Sequence, residues 1–132
     1  MDKKGWMDVP AEGMSMYPLI KEGDVCRFIS LKEVTVRKGD IILFQDSSGK
    51  LVAHRFLCIQ FSENVGMYLF KGDTNVGFDV PISDEQMIGK LVKIRKGDVV
   101  LSLSHPIAKG WSKLILLFPV LSSFLQLILN KR

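Results

Sequence analysis

From Asp8 to Leu103 the chain is a succession of short apolar runs, rich in Val, Ile and Phe, each cut off by a turn signal before it reaches helical length. Such runs suit strands, so the chain is expected to be mainly β. The predicted strands are Val25 to Ile29, Ile41 to Gln45, Val52 to Phe61, Met67 to Lys71, Ile88 to Ile94 and Val99 to Leu103. Gly-Asp pairs recur at Gly23-Asp24, Gly39-Asp40, Gly72-Asp73 and Gly97-Asp98, and three of them directly precede a β-branched residue that opens a strand. Each is read as a turn in which Gly supplies positive φ and Asp bonds its own backbone. Their irregular spacing excludes a repeat architecture. A short helical turn is expected from Ser83, which stands in capping-box register with Gln86.

The other constraint lies at the far end. Leu114 to Leu129 contains no charged residue and would extend about 24 Å as a helix, short of a full bilayer crossing. Pro119 should kink it. It is expected to be a C-terminal hydrophobic helix that anchors the protein in or on a membrane, against the alternative of a core or oligomer-interface helix. Trp111, Lys113, Lys131 and Arg132 flank it, and Pro106 and Gly110 mark the stretch from His105 to Gly110 as a linker. The expected organisation is a β domain over residues 1–105 and a linker plus hydrophobic helix over residues 106–132.

The 132 residues suffice for one ordinary domain with one core. The net charge of +4 is spread over many lysines, with no basic block and no reader motif, so no nucleic-acid partner is expected. Cys26 and Cys58 each lie in an apolar run and are expected to be buried free thiols. Two histidines and two cysteines without ligand spacing argue for no metal, and nothing calls for a cofactor. Met1 to Gly13 lacks the apolar stretch of a secretory signal.

Chemistry centres on Ser15, in the irregular segment Gly13-Met14-Ser15-Met16-Tyr17-Pro18. Gly13 permits close backbone approach and Pro18 directs the chain after the hydroxyl, which suits a covalent acyl-transfer site. A hydroxyl needs a base, and His54, within the apolar strand Leu51 to Leu57, is the better of two histidines. His105, before Pro106, reads as an exposed loop residue without a catalytic role. A carboxylate should orient the base, and the segment Lys71 to Asp79 offers Asp73 and Asp79; spacing does not choose between them.

Gly-Met-Ser-Met-Tyr-Pro, Gly-Asp-Ile-Ile-Leu-Phe, Ala-His-Arg-Phe and Lys-Gly-Asp-Thr-Asn follow one another in the order of the successive boxes of type I signal peptidases, and the resemblance covers Val9 to Ile94. The pair His54-Arg55 resembles the histidine-containing branch of the endoplasmic reticulum, archaea and spore formers, where other branches have a lysine base. The resemblance implies Ser15 as nucleophile, His54 as general base and Asp79 as the acid that orients it. It implies supporting roles for Asp73, Arg55 and Asn75 in their boxes, and for Gly13, which stands where many relatives carry an oxyanion-binding hydroxyl. It further implies coiled antiparallel β-sheets around a groove, an extended peptide or pre-protein substrate, and small residues before the cut. The members it resembles open with a membrane anchor, and here the expectation is that the C-terminal segment serves. The alternative is a catalytically silent homologue that holds signal-like peptides at a membrane. A repressor-type self-cleaving switch is disfavoured by the short segment before Ser15 and by the histidine.

Overall fold

The apolar runs pair into one antiparallel sheet of seven strands in the computed structural model, which describes residues 5–130. The strands are β1 (Trp6–Pro10), β2 (Val25–Ser30), β3 (Ile41–Gln45), β4 (Leu51–Ser62), β5 (Val65–Lys71), β6 (Met87–Lys96) and β7 (Val99–Ser102). Two helices follow, α1 (Pro106–Leu117) and α2 (Val120–Asn130). The sheet order is β1-β2-β6-β3-β4-β5, with β7 also on β6. One continuous sheet thus replaces the set of sheets expected. Residues of β1 and β4, far apart in that order, line a common cavity.

β3 explains the uninterrupted run Ile41-Ile42-Leu43-Phe44. All four side chains are buried, alternating between two apolar clusters. Ile41 and Leu43 join Met16, Leu19, Phe28 and Ile94 on one face, while Ile42 and Phe44 join Phe56, Phe70 and Ile82 on the other. A strand covered on both faces reads as continuously hydrophobic, and each such side chain contributes about 1.5–3 kcal/mol on burial.

The six expected strands form, with ends shifted by up to two residues. Gly23, Gly39 and Gly97 have positive φ, as the turns before β2, β3 and β7 require. Asp24 and Asp40 close their turns by accepting the Lys21 and Arg37 N–H groups. The Ser83 N–H donates to Gln86 Oε1 at 3.0 Å, and Asp84–Gln86 forms the expected short turn into β6.

Several expectations are corrected. β1 is not among the expected strands and pairs with β2 from Trp6↔Ile29 to Pro10↔Val25. As an edge strand it tolerates Pro10 at its end. The expected linker from His105 to Gly110 is the first part of α1: the His105 side chain accepts the Ile107 N–H, and Pro106 occupies the first turn, where its missing donor costs nothing. The single hydrophobic helix is two helices bent by 106° around Phe118-Pro119, because a proline has no N–H for the helical ladder. Among the described residues no single helix is long and apolar enough to cross a membrane, although the bent pair passes by length and composition together. The flanking Lys131 and Arg132 lie outside the described residues. Cys26 is buried, and burial pushes its thiol up to about 11. Cys58 is exposed, because β4 there runs beyond β3 and pairs with β5 alone.

Candidate active site

β4 carries two ionisable neighbours, His54 and Arg55, and the pleat sends them to opposite faces. His54 stands opposite Ile42 and Arg55 opposite Ile41, whose side chains belong to different core clusters. Each therefore meets a different part of the chain.

His54 is 8% exposed and makes an edge-on contact with the Phe44 ring, centroids 6.3 Å apart. Its Nε2 lies 2.9 Å from Ser15 Oγ and its Nδ1 lies 2.5 Å from Asp79 Oδ2. A neutral imidazole that donates Nδ1–H to the carboxylate offers its Nε2 lone pair to the serine hydroxyl. Three residues separated by 39 and 25 positions thus form one hydrogen-bonded chain.

Each member is held by its backbone. Ser15 sits in a compact loop closed by Tyr17 N–H to Met14 O and Ile20 N–H to Met16 O. Met16, Leu19 and Ile20 anchor that loop in the core, which leaves Ser15 half-buried beside the groove. Gly13 has φ +73° and open space where a Cβ would stand, so its role is conformational. Asp79 is fixed by its N–H to Phe70 O at 2.9 Å, and the Tyr68–Ile82 bridge returns the chain along β5.

Asp73 faces elsewhere. Its carboxylate takes Arg55 Nε and Nη2, both at 2.8 Å, and the Trp111 indole N–H at 2.9 Å. Arg55 Nη1 donates to Gly39 O and to Ser112 Oγ, at 2.8 and 2.7 Å. Arg55 and Asp73 are each 1% exposed, a desolvated pair tolerable only because nearly every donor and acceptor is used. The pair also braces the Ser15 segment: Thr74 N–H donates to Ser15 O at 2.9 Å and Asp73 N–H to Met16 Sδ at 3.4 Å. Gly72 lacks the positive φ expected of it; a Cβ there would lie 3.0 Å from Ser15 O and 2.6 Å from Asn75 Nδ2. It is a close-approach glycine, and Asn75 closes the turn through its N–H to Gly72 O.

Lys71, half-buried beside this turn, has its ammonium pKa lowered by desolvation, and its Nζ donates to Ser122 Oγ at 2.6 Å. Ser122 is 1% exposed, so this serine–lysine contact is closed to substrates and fastens α2.

A groove of about 840 Å³ runs past Ser15 and His54 between β1 and the start of β4. β1 ends the sheet, and β5 pairs with β4 only from Arg55 onward, so Leu51 to Ala53 keep an unpaired edge. A second cavity of about 350 Å³, lined by Phe44, Val52, Asp79 and Val80, meets the first at His54. No group of three or more potential metal ligands occurs among the described residues.

The structure brings Ser15, His54 and Asp79 together, and joins Asp73 to Arg55. Trp111, Ser112, Lys71 and Ser122 were missed; no local pattern marks them, since their partners lie 38 to 57 residues away. Neither the family models nor the curated proteins include a match to this chain.

Proposed function

We propose that this chain is a serine endopeptidase of the type I signal peptidase kind, histidine branch, that cuts a leader or signal-like peptide held in the groove. The observation that carries the reading is the Ser15–His54–Asp79 chain of hydrogen bonds, open to a groove beside the strand edge of Leu51 to Ala53. The ordered sequence boxes and the mainly β, antiparallel fold support it further.

On this reading a peptide adds as a strand to the edge of Leu51 to Ala53, which brings a scissile carbonyl to Ser15. Ser15 Oγ attacks the carbonyl carbon while His54 Nε2 takes the hydroxyl proton, and Asp79 stabilises the imidazolium. Backbone N–H groups of the nucleophile segment, that of Ser15 first, hold the oxyanion, since Gly13 offers no hydroxyl. The C–N bond breaks as His54 gives its proton to the leaving amine. Water then attacks the acyl-enzyme, loses its proton to His54, and the ester C–O bond breaks as Ser15 regains a proton.

The resemblance adds a preference for small residues before the cut. The test is cleavage of a leader-bearing peptide with an Ala-x-Ala-type site by the full chain. Turnover that vanishes in Ser15→Ala supports the reading, whereas equal turnover in that variant rules it out. Peptide binding without cleavage by the wild-type chain would favour a silent peptide holder.

A further inference from the structure

The C-terminal helices have three distinct sides each. On α1, Ala108 and Ile115 are buried and Trp111 and Ser112 are tied to Asp73 and Arg55. On α2, Ser122 and Leu125 are buried and Ser122 is tied to Lys71. The opposite sides are apolar and open. Ile107, Leu114 and Leu117 follow helical spacing along α1 and are 69%, 43% and 72% exposed. Val120, Phe124, Leu127 and Ile128 do the same on α2, between 47% and 64% exposed.

The third sides are polar. On α1, Lys109 and Lys113 are exposed one turn apart along a single border of the apolar stripe; on α2, Ser123, Gln126 and Asn130 border the other stripe. After Asp98 the sequence contains no carboxylate side chain, while Lys109, Lys113, Lys131 and Arg132 are all cationic. We infer that α1 and α2 lie along the surface of an anionic lipid bilayer, their outer stripes in the acyl boundary and their lysines at the headgroups. This does not depend on the peptidase reading.

Charge selects this occupant. A second copy docked through the same face about a twofold axis would bring these lysines no anionic side chain, since neither helix carries one. Anionic headgroups complement them, and lysine stems reach from an apolar stripe to the headgroup level. Length and fastening select the orientation. Helices of 12 and 11 residues extend about 18 and 17 Å, well short of the bilayer core of about 30 Å. Straightening the 106° bend to cross would pull Ser112 from Arg55 or Ser122 from Lys71. Lying flat keeps every one of these bonds.

The experiment is co-flotation of the full chain with vesicles of phosphatidylcholine and phosphatidylglycerol, about three to one, beside phosphatidylcholine alone. Expected is flotation with the anionic vesicles only, weakened by salt and reversed by an alkaline carbonate wash. Leu117→Asp and Phe124→Asp, both at exposed positions, should each weaken binding at least about tenfold without changing the melting temperature. Lys109→Gln with Lys113→Gln should weaken it about 25-fold. Phe61→Ser, on the exposed tip of the β4–β5 hairpin, should leave it unchanged. Carbonate-resistant protein would overturn the inference in favour of a crossing. So would equal binding to neutral vesicles, loss of binding in Phe61→Ser alone, or a soluble dimer that ignores vesicles and dissociates in Phe124→Asp.

Discussion

His54 and Arg55 are adjacent on one strand, and each holds an aspartate, yet the two pairs live under opposite conditions. The Asp79 side chain is 25% exposed and His54 borders two cavities, whereas the Arg55 and Asp73 side chains are 2% exposed and shared among Gly39, Trp111 and Ser112. In the proposed reaction His54 carries a proton and needs an accessible lone pair, which fits partners that stop at one acid and one hydroxyl. A buried ion pair needs every lone pair and proton satisfied, so it is packed round until none is free. The pleat of β4 lets neighbouring residues meet both demands within one site.

The comparison predicts that damage on the two faces will look different. The largest effect is His54→Ala, which should cut peptide turnover on the order of a million-fold with melting temperature little changed. Asp79→Asn should follow at about ten-thousand-fold, because the imidazole loses the acceptor that fixes its tautomer. Both are checked by steady-state turnover beside thermal denaturation.

Asp73→Ala should reverse the signature. It strands Arg55 in the core and should cost about 3–5 kcal/mol of stability, measured by urea unfolding. Cys26, in the cluster that Ala108 of α1 completes, then becomes open to alkylation at neutral pH, while Cys58 reacts in every variant. If Asp73→Ala kept wild-type stability and Asp79→Asn unfolded the chain, the two roles would be exchanged. Ser112→Ala should cost about 1–2 kcal/mol, since one buried Arg55 donor loses its second acceptor.

The last effect is alkaline. The Cys26 thiol ionises near pH 11 when folded and nearer its ordinary 9 when unfolded, so the folded state retains its proton through that window. Its contribution to stability should fall by about 1.4 kcal/mol per pH unit between them. Cys26→Ala should flatten this slope in pH-dependent urea titrations.

How much of this was legible depends on range. β3 and β4 could be read because β-branched and aromatic residues crowd into runs that suit only strands. β1 could not: Trp6-Met7-Asp8-Val9-Pro10 mixes acid and proline with apolar residues, and only pairing with β2, helped by the Asp8–Arg27 ion pair, makes it a strand. Ser15 and His54 were readable as residue types and the resemblance chose Asp79, whose place beside His54 depends on the return of the chain along β5, a contact no spacing encodes. Trp111 and Ser112 were hidden because a helix read as an anchor conceals the face it gives to the core.

The central claim is that Ser15 is activated by His54. Its most direct test is incubation of the full chain with a fluorophosphonate and location of the adduct by mass spectrometry. A single adduct on Ser15 is predicted, formed rapidly by the wild-type chain and at least about a thousandfold more slowly by His54→Ala. An unmodified Ser15, or labelling that proceeds equally without His54, would contradict it.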